Sequence, residues 1–382
     1  MRLSLGMVGG GEGAFIGAVH RMAARLDGRW TLAAGAFSSD AGRSRAFGGA
    51  LGLAEDRCYG DWRAMAEAEA ARPDPIDAVA IVTPNHLHHG PARAFLDAGI
   101  AVICDKPLTT RLADAVDLAE TVARTGIPFV LTHNYSGYAM VRQMRAMVAA
   151  GTLGAIRVVQ AEYAQDWLAR ALPGNKQAEW RGDPRQAGPG GALGDIATHA
   201  YQLATFVVGA TADQVSAETS RFVEGRLLDD DVQLRLRWAG GARGQLWASQ
   251  VAVGAANRLR LRVYGENGGL EWSQEEPDIL RFAPIGEPPR DLRRGGPGLS
   301  AAAQAATRVP AGHSEGYLEG FAQIYADAAD LVSAHKTGQQ PPAAALDLPG
   351  VDAGVEGMRF IEASVRSAAS DGRWTALREE AT

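Results

Sequence analysis

The opening stretch constrains this chain more than any other. Residues 3–8 are a short apolar run, Gly9-Gly10-Gly11-Glu12-Gly13-Ala14 follow without a break, and Phe15–Leu26 repeats apolar residues at helical spacing. A buried strand that runs straight into a glycine turn and a helix is the start of a βαβ unit. The small residues of Gly9-x-Gly11-x-x-Ala14 each have a mechanical duty. Gly9 permits the tight turn, Gly11 lets a pyrophosphate approach the backbone, and Ala14 lets the helix pack on the strand. Phe15 and Ile16 then open the helix, whose N-terminal amides suit phosphate. A chain with 46 glycines can produce such a string by chance. Its place between strand and helix is what separates it from a plain glycine-rich turn.

The alternation continues. Strands are expected at 30–37, 76–82, 100–104 and 127–131, with helices at 61–70, 90–98 and 112–123. Residues 1–133 therefore read as one doubly wound α/β domain, a Rossmann dinucleotide-binding domain. Its strands end in polar residues, where such sheets bind ligands. An acidic residue at the end of the second strand would bind the ribose 2′-hydroxyl of NAD, but Ser38 stands there. Ser38, Ser39 and Arg43 suit a 2′-phosphate, while Asp40 reads as a helix cap. The cofactor is thus NAD or NADP, with a slight lean to NADP or dual use. Thr83, Asn85 and His88 follow the third strand, and Asn134 follows the fifth. His86, His88 and His89 lack ligand-like spacing, so no metal is expected. His88 is the candidate cofactor contact, and His86 and His89 read as surface or capping residues. At the end of the fourth strand comes Cys104-Asp105-Lys106-Pro107; Pro107 holds Lys106 extended and so sets the direction in which the lysine leaves.

Residues 134–382 read differently. A helix at 139–150 and a strand at 156–163 lead into a long loop, 171–191, that carries Trp180 and Arg181. A helix is expected from about Gly191. Asp195 and His199 then stand one turn apart on one face. A carboxylate so placed orients an imidazole and raises its basicity, although a surface ion pair has the same spacing. Gly190, Gly191 and Gly194 argue that something approaches this face closely. Alternating runs at 214–223, 231–238, 242–253, 258–264 and 269–272 predict an antiparallel sheet. A flexible loop is expected at 295–312 and helices at 317–336 and 346–369. This second domain is α+β, with helices on one side of the sheet and the other face available for a homodimer or homotetramer.

Composition closes off other classes. Net charge is −6 with basic residues scattered, so no nucleic-acid partner is expected. No apolar run is long enough to span a membrane, and the N-terminus lacks a signal-peptide core. Cys58 and Cys104 form no motif. A cytoplasmic location is the expectation.

Four motifs together resemble the Gfo/Idh/MocA oxidoreductases, the glucose–fructose oxidoreductase and inositol dehydrogenase group. They are Gly9-x-Gly11-x-x-Ala14, Thr83-Pro84-Asn85-x-x-His88, Cys104-Asp105-Lys106-Pro107 and Gly191-x-x-x-Asp195-x-x-x-His199. The resemblance covers nearly the whole chain and points to a sugar or inositol dehydrogenase branch. Asp105 departs from it, standing where the family has Glu. The resemblance implies that Lys106, Asp195 and His199 are catalytic and line the substrate pocket. It also implies that Asn85, His88 and Asp105 touch the cofactor, with Arg181 reaching it and His313 touching substrate. The loops at 163–168, which include Trp167, at 171–181 and at 312–317 are expected to supply pocket residues. The implied activity is reversible NAD(P)-dependent oxidation of a secondary hydroxyl of a sugar, sugar derivative or inositol. The rival is NAD-assisted glycoside cleavage, with transient oxidation and no net cofactor reduction.

Overall fold

The structure, a computed structural model, describes residues 2–378. Strands β1 (Leu3–Gly9), β2 (Trp30–Ala36), β3 (Ala78–Val82), β4 (Ala101–Cys104) and β5 (Phe129–Leu131) make one sheet in the order β2-β1-β3-β4-β5. Every pairing in it is parallel. β3 and β4 are buried at every residue. Helices on both faces require this, and it is why these strands read as unbroken apolar runs rather than alternations. Strand order reverses at β1, with β2 on one side and β3 on the other. At such a switch point the loops diverge and leave a crevice at the carboxyl ends of the strands.

This first unit comprises the chain through Asn134 together with Tyr317–Val355. Phe321, Ile324, Tyr325, Ala328 and Val332 of the helix Tyr317–Thr337 share one buried cluster with Leu3, Leu5, Trp30 and Val19. Trp30 Nε1 donates to the Tyr325 carbonyl at 2.8 Å. A single boundary at residue 133 therefore does not describe the chain, because a late segment returns to the first sheet. An amphipathic helix shows that one face is buried without showing which sheet buries it.

The second unit holds a nine-stranded sheet of β6 (Ile156–Ala164), β7 (Gln214–Ser220), β8 (Asp231–Arg237), β9 (Arg243–Ser249), β10 (Arg258–Gly265), β11 (Gly268–Ser273), β12 (Ile279–Pro284), β13 (Arg290–Arg293) and β14 (Thr375–Ala376). Its order is β13-β12-β11-β10-β6-β9-β8-β7-β14. β6 and β9 run parallel, and all other pairings are antiparallel. Val159, Ala161, Leu246, Ala248, Leu259 and Leu261 are buried on one face, against which the helices Ala139–Ala149 and Thr198–Val208 pack. The alternate residues are polar and charged. On that face Arg262 pairs with Glu162, Arg260 with Glu271, and Trp247 Nε1 donates to Asp231 at 2.9 Å.

The alternation in the sequence does not predict β12, β13 or β14. β13 is a short polar edge strand, which carries no apolar alternation to detect. The loop expected to be flexible at 295–312 is pinned instead. Arg294, only 4% exposed, bonds Asp278 at 2.6 Å, Glu315 at 2.8 Å, the Val309 carbonyl at 2.7 Å and the His313 carbonyl. Within it Ser300 caps the helix Ala301–Ala305. The last long helix begins at Val351, just after Pro349-Gly350, rather than at residue 346. Among the described residues no helix is long and apolar enough to cross a membrane.

Candidate active site

The glycine turn closes β1 at the switch point. Gly9, Gly10 and Gly13 have φ of +83°, +68° and +76°. A Cβ at Gly9 would stand 2.9 Å from Thr83 Cγ2, and one at Gly11 would stand 2.6 Å from the Phe37 carbonyl oxygen. The close approach of helix to turn belongs to Gly17, not to Ala14. A Cβ on Gly17 would lie 2.4 Å from Gly10 Cα and 2.7 Å from Gly10 O. Ala14 is the residue before the helix, no side chain caps it, and its first turn holds no acidic residue. The leading amides are thus open to an anion. Phe15 is 66% exposed, and Ile16 packs on the core. Arg21 Nη1 donates to the Gly10 carbonyl at 2.7 Å and steadies the turn.

After β2, Asp40 caps the helix Ala41–Ala50 by accepting from the Arg43 amide at 2.7 Å. Ser38 Oγ accepts from the Asp40 amide at 3.1 Å, and Ser39 is exposed. The Arg43 side chain is exposed and lies 4.0 Å from the Asp40 carboxylate.

The ends of β3 and β4 are tied together by His88. It is fully buried, with Nδ1 2.8 Å from the Pro107 carbonyl oxygen and Nε2 2.9 Å from that of Thr83. Each ring nitrogen thus faces a backbone carbonyl; the neutral ring that burial favours has a single N–H, so His88 donates to one of the two and bridges the loops rather than presenting a nitrogen to a cofactor. Burial lowers its pKa, with the Asp105 charge opposing. His89 pairs with Asp117 at 2.7 Å. The Lys106–Pro107 peptide is cis. Asp105 Oδ1 accepts from the Lys106 amide at 3.0 Å and from the Thr132 hydroxyl at 2.9 Å. Behind it stands His20, fully buried, with Nδ1 2.8 Å from the Tyr325 hydroxyl and Nε2 3.9 Å from Asp105. Burial pushes His20 down to about 4. Burial and then the Lys106 charge push His133 down to about 3. Asn85 is buried, and so is Asn134 at the end of β5. The Thr83 hydroxyl and the Asn134 amide nitrogen are buried without hydrogen-bond partners among the described residues.

In the second unit the helix that carries Asp195 and His199 starts as a π-turn, Leu193–Ala197, and continues as Thr198–Val208. What approaches Gly191 is the chain itself. A Cβ there would stand 2.0 Å from the Asp229 carbonyl oxygen. The Asp229 carboxylate accepts from the Gly191 and Leu193 amides at 2.9 Å and 2.8 Å, and burial raises its pKa. A Cβ on Gly194 would meet nothing within 4 Å. Asp195 Oδ2 accepts from Arg181 Nε at 3.1 Å and from Gln250 Nε2 at 2.9 Å. His199 is 8% exposed, and the Tyr135 ring stands edge-on to it at 5.0 Å. The observed partners of Arg181 are Asp195, Gln177 and the rings of Trp180 and Trp167, at 4.3 Å and 5.7 Å. Trp167 Nε1 donates to Gln165 at 3.0 Å. His313 is exposed, and its carbonyl is bound by Arg294. Gln250, buried at the end of β9, was missed; nothing local distinguishes it from the end of an alternating run.

Two family models match. The oxidoreductase family with an NAD-binding Rossmann fold covers residues 3–144, and the GFO/IDH/MocA C-terminal domain covers residues 141–271. The chain belongs to the GFO/IDH/MocA family. It is similar to an inositol dehydrogenase homolog of Azotobacter vinelandii, solved in complex with NADH and myo-inositol. That likeness is 37% in sequence, with a TM-score of 0.91, over 98% of each chain. The uncharacterized oxidoreductase YfiI of Bacillus subtilis (strain 168) is 36% identical over 97% of this chain and 96% of its own. The levoglucosan dehydrogenase of Pseudarthrobacter phenanthrenivorans is 29% identical over 74% of this chain and 76% of its own. This GFO/IDH/MocA chain is thus an NAD-binding oxidoreductase. Its first unit fits a dinucleotide: the open helix amides, the glycine cradle, and the unpartnered Thr83 and Asn134 groups offer what a pyrophosphate and its riboses need.

Proposed function

We propose that the protein oxidises, reversibly, a secondary hydroxyl of a cyclic polyol, an inositol or a sugar, with NAD(P) as hydride acceptor. The observation that carries this reading is the fixed carboxylate of Asp195, held by Arg181 and Gln250 one turn from the buried His199. Similarity to proteins described as binding myo-inositol or named for levoglucosan supports the substrate class.

The nicotinamide, when bound, supplies the hydride acceptor. The hydroxyl proton has to leave as the C–H bond breaks, and His199 is the base that takes it, oriented by Asp195. Lys106 donates a hydrogen bond to the same oxygen and opposes the charge that grows there. The exchanged assignment has Lys106 as base and His199 as the hydrogen-bond donor. Thr83, Asn85, Asp105 and Asn134 serve the cofactor with the glycine turn, and His88 braces them. Ser38, Ser39 and the exposed Arg43 admit a 2′-phosphate, so both NAD and NADP are accepted in this reading. Trp167, beside Arg181, and the exposed His313 are the proposed further substrate contacts. The charged face of the large sheet is the proposed contact between copies in a homodimer or homotetramer. Two free buried cysteines are in keeping with a cytoplasmic location.

A panel of inositols and sugars, myo-inositol included, run with NAD and NADP and followed at 340 nm, tests the activity. Reduced cofactor should accumulate with at least one of them. Sugar release without net reduction would identify the glycoside-cleaving chemistry instead. Lys106→Ala and His199→Ala should each lower turnover about a hundredfold or more. Near-normal turnover in both, with cofactor still bound, refutes the assignment.

A further inference from the structure

A belt of contacts in the second unit begins and ends on the helix that carries Asp195 and His199. It passes through a residue outside every sequence motif, Asn257. From His199 it runs to Tyr135, edge-on at 5.0 Å and 82°. The Tyr135 and Tyr163 hydroxyls are 2.5 Å apart. The Tyr163 hydroxyl donates to Asn257 Oδ1 at 2.9 Å, and Gln165 Nε2 donates to the same oxygen at 2.6 Å. Gln165 Oε1 takes the indole N–H of Trp167, and Trp167 lies under Arg181, which returns to Asp195.

The belt has one direction. A phenol has a single proton, and that of Tyr163 is committed to Asn257. Tyr135 therefore has only acceptors before it, the Tyr163 oxygen and Asn257 itself, and must donate. Both tyrosines are buried, 2% and 3% exposed, and Asn257 and Gln165 are half-buried. One amide oxygen orders two phenols and the glutamine amide. Buried hydrogen-bond chains of this kind fix a single arrangement when every member is satisfied.

We propose that Asn257 is a positioning residue: its side-chain oxygen sets the direction of the Tyr135–Tyr163 hydrogen bonds and so holds the wall against which the His199 imidazole stands. The inference rests on the reading of His199 as the base. Asn257 escapes a sequence reading because, just ahead of β10, it resembles any turn residue.

The test uses the full-length protein with NAD and with myo-inositol as the probe substrate. Asn257→Leu removes the acceptor and should lower kcat about tenfold or more, the scale of a small misplacement of a reacting group, with NADH affinity unchanged. Tyr163→Phe breaks the same bond while keeping the ring, and should move kcat the same way if Asn257→Leu does not fold. Asn257→Asp keeps an oxygen that accepts both bonds and should restore kcat to within about threefold, with the acid limb of the profile moved to higher pH by its added charge. Carbon-13 histidine NMR needs no turnover. The His199 resonance, identified by its loss in His199→Gln, should shift in Asn257→Leu as the Tyr135 ring moves. An unmoved resonance and wild-type kcat in Asn257→Leu, with His199→Gln inactive, overturn the proposal alone. So does an Asn257→Asp enzyme as impaired as Asn257→Leu. Full turnover in His199→Gln overturns the reading of the base, and this proposal with it.

Discussion

Gly17→Ala is the sharpest test of how the glycine turn is built, because two opposed effects act on it. Alanine in place of glycine inside a helix is ordinarily worth about 1 kcal/mol of stability. Here the new Cβ would stand 2.4 Å from Gly10 Cα, against an ordinary contact of 3.4–4 Å. The helix and turn must separate by about 1 Å, and overpacking of this kind costs about 1–3 kcal/mol. The steric effect should win, leaving the protein less stable by up to about 2 kcal/mol. The larger consequence is for the dinucleotide. Moving the turn off the leading helix amides forfeits at least one hydrogen bond to a charged phosphate, about 1.5–3 kcal/mol, so the NADH dissociation constant should rise about tenfold to a hundredfold. Fluorescence titration of NADH measures this, with denaturant unfolding for stability. Gly13→Ala is the control. It also has positive φ, +76°, but a Cβ there meets nothing within 4 Å. It should show a backbone penalty of about 1–2 kcal/mol without displacing Gly10. A Gly17→Ala protein that gains stability and binds NADH as tightly as the parent refutes the argument.

Two further outcomes are expected. His88→Leu strands the carbonyl to which the ring donates, that of Pro107 or of Thr83, at about 1–3 kcal/mol; it should lower the thermal midpoint and weaken NADH binding, and a variant that keeps both values contradicts the bracing role. Stability should also fall in mild acid. Burial holds His20 at about 4 and His133 at about 3 in the folded chain, against 6.5 unfolded. A histidine with a depressed folded pKa contributes fully above the unfolded value, and its contribution is lost as pH falls from 6.5 towards the folded one. For His20 alone this amounts to about 3 kcal/mol by pH 4. His20→Gln should therefore flatten the dependence of unfolding free energy on pH between 6.5 and 4, and an unchanged slope would count against it.

What was legible in the sequence was what a short stretch decides by itself. The strands of the first sheet are buried on both faces, so their apolar runs stand out, and the glycine turn lies between a strand and a helix that each declare themselves. Asp40 caps its helix as its position suggests. The positions that escaped are set by partners distant in sequence. Gly17 is required by Gly10, but the nearer Ala14 matches the short pattern equally well. Gly191 signals a close approach in the sequence, and what approaches it, the backbone of Asp229, lies 38 residues away. The sheet-edge place of His88 suggests a cofactor contact, yet both its nitrogens face backbone carbonyls, one of them 19 residues away. Tyr325 reaches His20 across 305 residues, and Gln250 reaches Asp195 across 55. The division has a physical cause. Groups that do chemistry must be of a few residue types at the ends of regular elements, so spacing betrays them. The groups that hold them still need only an amide or hydroxyl of the right reach, which any turn or strand end can supply. A reading of motifs therefore finds Lys106, Asp195 and His199, the residues proposed for the chemistry, before it finds Asn257 or Gln250, and substitutions in the second set are the ones that test the proposed positioning apart from chemistry.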